Sequence, residues 1–221
     1  ISLGLVGSEM CIRDSIYTLS KGISWITFQN ECAAIRIDDQ LYKQGKGITL
    51  YSSFKQNLKG DKIYTVFEDS EGDEWILTNK GISIIGKKQV DSDFPFQYIK
   101  EADGIIYLVS QSDKLASYNF KTRQFKFIEI PYHVSMINEV KKFDSNTLLL
   151  ATDNGLIIYK IKEKEFQLID IRTSTQPSSV VQSVYQDHYK ELWIFPQTTG
   201  VIRYNPVSYT HLRAHETEAD L

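Results

Sequence analysis

Four carboxylates lie close together in segment 69–74, and alternating carboxylates of this kind are typical of a calcium-binding loop. They are Asp69, Glu71, Asp73 and Glu74. A helix–loop–helix calcium site needs a bidentate acid about 12 residues after its first ligand, together with flanking helices. Lys80 occupies that position, so the calcium hypothesis fails. The segment is instead expected to form a solvated hairpin turn, because Asp, Ser and Gly favour turns.

The remaining candidates for catalysis are two histidines and one glutamate. His133 and His188 have no second His, Cys or acid at metal-ligand spacing. Glycoside cleavage needs two converging carboxylates, and Glu139 is the sole acid in the candidate strands 63–67, 137–140 and 181–185. No nucleophile elbow, P-loop or dinucleotide fingerprint occurs in the sequence. The sequence therefore predicts no catalytic site, no metal and no cofactor.

The composition is that of an ordinary globular domain. The 221 residues are 42% hydrophobic and 24% charged, with a formal net charge of −3. These values exclude disordered and collagen-like classes, and the near-neutral balance predicts no binding to nucleic acid or anionic lipid. No apolar run reaches the roughly 18 residues of a membrane-spanning helix, so no membrane contact is predicted. Two cysteines, Cys11 and Cys32, are too few for a disulfide scaffold.

The two ends of the chain differ from the rest. Residues 1–15 and 207–221 lack the periodicity of their neighbours and resemble translated adapter sequence from environmental contigs. Segments of this kind are excluded from fold prediction. We therefore predict a leader (1–15) and a tail (207–221) that are not native and add no strands, and a native part (16–206) that is a fragment of a longer protein.

The native part contains five copies of one repeat. Each copy has an anchor residue, at which the clearest copies have Trp, and a glycine follows six or seven residues later in three of them. The anchors are Trp25, Trp75, Tyr107, Leu149 and Trp193, and the glycines assigned to the repeat are Gly72, Gly81, Gly155 and Gly200. The spacing between anchors averages 42 residues, which suits either a β-propeller blade or a helical repeat. Short β-branched and aromatic runs bounded by turn residues favour strands.

Each copy is predicted to form a four-stranded antiparallel blade. In the second copy the strands are 63–68, 74–78 and 81–85, with a weak fourth near 88–90. Clearer fourth strands lie at 47–52, 124–128 and 165–169. Such sheets must stack on neighbours to bury both faces. We therefore predict an all-β propeller fragment, an incomplete ring with little helix, and blades near 16–59, 60–93, 94–132, 133–176 and 177–206. The anchors are expected to pack between blades.

The phrase Asp69-Ser-Glu-Gly-Asp-Glu-Trp-Ile-Leu-Thr-Asn-Lys-Gly-Ile82 resembles the two-component regulator propeller repeat. Segment 187–204 is similar to it with gaps, and 146–159 keeps Ala151-Thr152 and Gly155-Leu156. The resemblance implies the periplasmic sensor region of a hybrid histidine kinase and response regulator. It also implies sensing of carbohydrate breakdown products, control of glycan-utilisation genes, and a parent chain with further blades, a β-sandwich and the capacity to form a homodimer.

Propeller geometry predicts where a ligand would bind. The loops between second and third strands share one face with the connections between blades, and loops on a rigid scaffold often bind ligands. Their amides and hydroxyls suit sugar hydroxyl groups, although the same residues are good turn formers. The predicted oligosaccharide-binding residues are Asn30, Asn79, Lys80, Gln111, Asp153, Asn154, Gln197, Thr198 and His133.

Two other functions remain open at this point. A propeller lyase or glycosidase would need a catalytic pair near the channel mouth, and the sequence offers none. A protein-interaction propeller of the WD type would have Trp followed by Asp at the end of the third strand, and no Trp here is followed by Asp. The sensor module is therefore the leading hypothesis.

Overall fold

The fold was analysed in a computed structural model, which describes residues 15–28, 33–52, 58–60, 62–86, 90, 92–119, 122, 124–173, 177–198 and 200–205. The chain divides into two compact units, Ile1–Phe96 and Gln97–Leu221. Each unit consists of antiparallel sheets in which strands follow one another in chain order.

The first unit contains two sheets. Sheet 1 has strands β1 (Ser15–Thr18), β2 (Ile23–Phe28), β3 (Ala33–Asp38) and β4 (Ile48–Ser52). Sheet 2 has strands β5 (Ile63–Glu68), β6 (Glu74–Thr78) and β7 (Gly81–Ile85). Between β3 and β4 lies a one-turn helix, α1 (Asp39–Tyr42), and the Asp38 carboxylate caps it by accepting the N–H groups of Gln40 and Leu41.

The second unit contains three sheets. Sheet 3 has β8 (Tyr98–Ala102), β9 (Ile105–Val109), β10 (Leu115–Asn119) and β11 (Gln124–Ile128). Sheet 4 has β12 (Ile137–Lys142), β13 (Thr147–Thr152), β14 (Gly155–Lys160) and β15 (Glu165–Ile169). Sheet 5 has β16 (Val181–Gln186), β17 (Leu192–Pro196) and β18 (Ile202–Tyr204).

The strand register confirms that the five copies are one repeat. Every anchor lies in the second strand of its sheet, directly opposite a first-strand residue seven or eight positions earlier. The pairs are Tyr17–Trp25, Phe67–Trp75, Lys100–Tyr107, Lys141–Leu149 and Tyr185–Trp193. The first strands of sheets 2, 4 and 5 also carry an irregularity at one shared place, between Ile63 and Thr65, Ile137 and Glu139, and Val181 and Ser183.

The predicted all-β propeller class is confirmed. Five antiparallel sheets of three or four strands form the described chain, and its helical content is limited to α1 and the single 3-10 turn Ser20–Gly22. The three strands predicted for the second copy have the bounds that the structure shows. The fourth strands predicted at 47–52, 124–128 and 165–169 correspond to β4, β11 and β15. The weak fourth strand near 88–90 falls almost wholly outside the described residues.

Of the two terminal segments predicted to be non-native, the structure describes only Ser15. Strand β1 begins at Ser15, the last residue of the predicted leader. The tail, 207–221, and residues 1–14 lie outside the described residues. The assignment of both ends as non-native therefore stays a prediction.

The hydrophobic core lies between stacked sheets within each unit. In the first unit the anchor Trp25 packs with Val66 and Ile76 of sheet 2. In the second unit Tyr107 of sheet 3 packs in one cluster with sheet 4, and Leu149 of sheet 4 packs in another cluster with sheet 5. A sheet in the middle of such a stack buries both faces, which explains why β13 and β14 are almost continuously apolar.

Candidate functional site

The acidic segment of sheet 2 forms a hydrogen-bonded turn, which we call the first Asp–Trp turn (Asp69–Trp75). One oxygen of Asp69 accepts the backbone N–H groups of Glu71 and Asp73, each at 3.0 Å. Its other oxygen accepts the Trp75 indole N–H at 2.8 Å. The six-residue spacing between Asp and Trp therefore has a physical cause, since one carboxylate closes the turn and fixes the anchor.

The last sheet repeats this arrangement in the second Asp–Trp turn (Asp187–Trp193). One oxygen of Asp187 accepts the N–H groups of Tyr189 and Glu191 at 2.9 and 3.0 Å, and the other accepts the Trp193 indole N–H at 3.0 Å. The Trp193 hydrogen bond, with the two backbone bonds and nearby His188, holds the pKa of Asp187 below its usual range. His188 lies exposed in this turn.

The prediction that the first Asp–Trp turn is solvated was wrong. Asp69, Asp73 and Glu74 are only 4–5% exposed. The Glu74 carboxylate accepts the Trp25 indole N–H at 2.6 Å and the guanidinium of Arg36 at 2.7–3.0 Å. Trp25 has no Asp six residues before it, so a carboxylate from the neighbouring sheet satisfies its N–H. The hydrogen bond to Glu74 raises the pKa of Arg36.

Several of the predicted ligand-binding residues hold the loops together. In the second unit Asp153 accepts the Ser135 N–H at 3.1 Å, and Asn154 donates to the His133 carbonyl at 3.0 Å. In the first unit Asn79 accepts the Lys62 N–H at 3.1 Å. These bonds tie each turn between second and third strands to the connection that precedes its own sheet, which makes the turns rigid.

Glycine at the start of a third strand permits close approach of the backbone that follows that strand. Gly81 has a φ of 124°, and a Cβ there would lie 2.0 Å from the Ser92 carbonyl oxygen. Gly155 has a φ of 111°, and its Cβ would lie 2.6 Å from the Ile169 carbonyl oxygen. A side chain would displace the connection after sheet 2 at Gly81 and the end of β15 at Gly155.

The other predicted ligand-binding residues point to solvent. Gln111, Gln197, Thr198 and His133 are exposed residues of the second unit, and Lys80 is an exposed residue of the first. The backbone of Gln111 is fixed by donation to the Gln97 side chain and by acceptance from the Ile137 N–H at 2.8 Å. The Gln197 N–H donates to the Val180 carbonyl at 2.9 Å. Asn30 lies outside the described residues.

A second set of polar side chains links the first strands of the second unit. The Tyr98 hydroxyl of β8 donates to the Asn138 carbonyl of β12, and the Asn138 amide donates to the Val181 carbonyl at 2.7 Å. Glu139 accepts the Ser183 hydroxyl at 2.8 Å and the Val184 N–H at 3.0 Å. Glu139 also pairs with Lys141 at 2.8 Å. Glu139 is therefore engaged in joining sheet 4 to sheet 5.

Lys100 differs from the other members of this region because its ammonium makes no hydrogen bond or ion pair within the described ranges. Burial lowers its pKa, the positive charge of Lys141 lowers it further, and Glu139 opposes both. Lys100 and Lys141 occupy equivalent places opposite their anchors, where the other three sheets have Tyr17, Phe67 and Tyr185.

The sequence analysis missed Lys100, Arg36 and the buried role of Glu74. Lys100 could have been found by aligning the first strands, since two lysines replace aromatic residues there. No sequence pattern reveals the Arg36–Glu74 pair, because its partners are 38 residues apart on different sheets. The described part of the chain contains no group of three or more His, Cys, Asp or Glu side chains arranged for a metal ion, and no helix there could span a membrane.

Comparison with known proteins gives matches among solved structures alone, since no family model and no curated protein matches. Virginiamycin B lyase from Staphylococcus aureus has a TM-score of 0.64 at 18% identity, with 87% of this chain and 69% of that chain covered. The extracellular domain of a protein assigned as a hybrid two-component system, BT3049 of B. thetaiotaomicron, has a TM-score of 0.64 at 15% identity. That match covers 88% of this chain and 27% of the other.

A second sensor of the same organism gives a similar result. The extracellular domain of BT4673, also assigned as a hybrid two-component system, has a TM-score of 0.63 at 16% identity, with 90% of this chain and 28% of that chain covered. This chain thus spans little more than a quarter of either sensor domain. It has the β-propeller fold, and its structure resembles the extracellular domains of hybrid two-component systems as well as a propeller lyase.

Proposed function

We propose that this chain is part of the periplasmic sensor propeller of a hybrid two-component regulator and recognises a carbohydrate-derived ligand that controls glycan utilisation. The observation that supports the sensor role best is the structural similarity to two extracellular sensor domains, each matched over at least 88% of this chain. The Asp–Trp turns also support it. The sequence resembles regulator propellers through its repeat, and these turns show which contacts the repeated Asp and Trp make.

The loops of the second unit supply the proposed contact surface. One loop is tied to the preceding connection, because the Asp153 carboxylate accepts the Ser135 N–H and the Asn154 amide donates to the His133 carbonyl. Gln111 and Gln197 extend from two other loops whose backbones are also hydrogen-bonded. Ligand binding loses less conformational entropy on a rigid loop than on a mobile one. Exposed amides can both donate to and accept from sugar hydroxyl groups. The ligand is therefore a neutral or weakly charged oligosaccharide.

Calorimetric titration with a panel of plant and host glycan oligosaccharides tests this proposal. We expect at least one member to bind weakly, in the micromolar range or above, because few loops are available. Gln111→Ala or Gln197→Ala should reduce that affinity several-fold. Gln167→Ala, an exposed amide on the outer strand β15, is the matched control and should not change it. Absence of binding across the panel, or equal loss in the control, would contradict the carbohydrate role.

The lyase similarity supports a second candidate, a propeller enzyme. The matched lyase structures include a catalytically inactive variant with quinupristin, at a TM-score of 0.58 and 17% identity. Incubation of this chain with quinupristin and with the same oligosaccharides, followed by mass spectrometry, separates the two functions. Recovery of every compound intact is expected for the sensor, whereas a product of altered mass would establish the enzyme.

A further inference from the structure

Two lysines and one glutamate interact electrostatically where the first strands of the second unit meet. Lys100 is on the face of sheet 3 that packs on sheet 4, because it lies opposite Tyr107, whose ring is in the core cluster shared by these two sheets. On the same face of β8, the Tyr98 hydroxyl donates to the Asn138 carbonyl of β12. The Lys100 side chain therefore extends from sheet 3 toward β12, within the second unit.

The other two charged groups belong to β12 and form a closed pair. One Glu139 oxygen lies 2.8 Å from the Lys141 ammonium. The other oxygen accepts the Ser183 hydroxyl at 2.8 Å and the Val184 N–H at 3.0 Å. Both carboxylate oxygens are thus engaged, and the negative charge of Glu139 is balanced by its ion pair with Lys141.

Lys100 carries the positive charge that this pair leaves in excess. Its ammonium makes no hydrogen bond or ion pair with any residue that the structure describes. Burial and the charge of Lys141 both lower the pKa of Lys100, which means that its charge is incompletely solvated and incompletely balanced. Glu101, the next residue of β8, lies on the other face of sheet 3, and the exposed Lys142 adds positive charge at the end of β12.

We infer that Lys100, beside the Lys141–Glu139 pair, binds the carboxylate of a sugar acid. The three groups together have one positive charge in excess, which a singly charged ligand group balances. An ammonium has three donors, and its hydrogen bonds to a carboxylate are about twice as strong as those between neutral groups. Partial burial strengthens this attraction further. That the carboxylate belongs to a sugar rests on the proposed function, whereas the preference for an anion rests on the charges alone.

Titration of the full chain with galacturonate tests the inference, with nuclear magnetic resonance of isotope-labelled lysine side chains as the readout. Galacturonate should shift the Lys100 signal and raise the pKa of this residue, because a bound carboxylate favours the ammonium form. Galactose, which lacks the carboxylate, should cause neither change. Acetate should bind more weakly than galacturonate, because it lacks the sugar hydroxyl groups. Equal binding of acetate, or tighter binding of inorganic phosphate, would overturn the sugar acid as ligand.

Four substitutions assign the binding to this site. Lys100→Gln should reduce the affinity for galacturonate about tenfold or more, as expected for the loss of a charged hydrogen bond, and Lys100→Arg should keep most of it. Lys141→Gln leaves Glu139 to pair with Lys100, so it should weaken binding and raise the pKa of Lys100 even without ligand. Lys126→Gln, at an exposed position of the outer strand β11 in the same sheet as Lys100, is the matched control and should change nothing.

Three results would overturn the inference: an unchanged Lys100 signal in galacturonate, equal affinity for galactose and galacturonate, or an equal loss in Lys126→Gln. Circular dichroism verifies that each variant is folded, and the titration of the wild type decides the outcome if Lys100→Gln is not. Binding of neutral oligosaccharides without any preference for galacturonate would refute this site and leave the proposed function standing. Binding of galacturonate at Lys100 without any response to the oligosaccharide panel would do the reverse.

Discussion

The first and second Asp–Trp turns have Asp and Trp at the same spacing but differ in burial. Asp69 and Asp187 make the same three hydrogen bonds, with distances that agree within 0.2 Å. Trp75 is fully buried and Asp69 is 5% exposed, whereas Trp193 and Asp187 are only partly buried. The turn geometry is thus a local property of the sequence. How much the turn contributes to the stability of the fold depends on how deeply it is buried.

The same contrast holds for two arginines at equivalent positions. Arg36 lies opposite Trp25, and Arg203 lies opposite Trp193. Arg36 pairs with the buried Glu74 of the next sheet, with side-chain exposures of 17% and 5%. Arg203 pairs with Glu191 of the second Asp–Trp turn, with side-chain exposures of 63% and 14%. The pair between stacked sheets is therefore more buried than the pair within one sheet, and burial raises the cost of breaking it.

The largest expected effect is that of Trp75→Ala. Removal of a fully buried large aromatic side chain should cost about 3–5 kcal/mol of unfolding free energy. It should also release the Asp69 carboxylate from one of its bonds. Urea denaturation followed by circular dichroism measures the change. A value near zero would mean that Trp75 is accessible to solvent and contradict its role as a buried anchor.

Glu74→Gln should cost about 3 kcal/mol, near the low end for breaking a buried ion pair, since Gln keeps an oxygen that can accept a hydrogen bond. The control is Glu191→Gln, which weakens the more exposed pair with Arg203 and should cost less, about 1 kcal/mol or below. Equal losses in both variants would contradict the proposed role of burial.

Trp193→Ala should cost about 1–2 kcal/mol, less than Trp75→Ala, because a partly exposed side chain loses less buried apolar area. Denaturation of both Trp variants at matched low concentration gives the comparison. A loss for Trp193→Ala as large as that for Trp75→Ala would indicate that sheet 5 is already covered.

The smallest effect concerns the acid sensitivity of the second Asp–Trp turn. The pKa of Asp187 is lower in the folded chain than its ordinary value of 3.8. The stability that ionised Asp187 contributes to the fold is therefore complete above pH 3.8 and is lost as the pH falls through its folded-state pKa. The indole N–H resonance of Trp193 should shift in this acidic window, and the shift should be absent in Asp187→Asn. The same titration in that variant would show that another group is responsible.

Much of the fold could be predicted from the sequence because strand formation and turn closure are local. The three strands of sheet 2 follow from aromatic and β-branched runs, and the Asp69–Trp75 spacing identifies the turn. The candidate loops were identified for the same reason. Their division into structural residues, such as Asp153, and exposed ones, such as Gln111, could not be predicted, because each bond partner belongs to another segment of the chain.

The sequence by itself determined the repeat, the strand bounds of the second copy and the position of its turns, since these depend on residues fewer than about ten positions apart. Tertiary structure alone decided which carboxylates are buried, that Glu74 serves Trp25 and Arg36, and that Lys100 lies half-buried near Lys141. The physical reason is that burial and electrostatic environment depend on the stacking of separate sheets. The pattern within one copy is the same whether its anchor is fully buried or partly exposed, as Trp75 and Trp193 show.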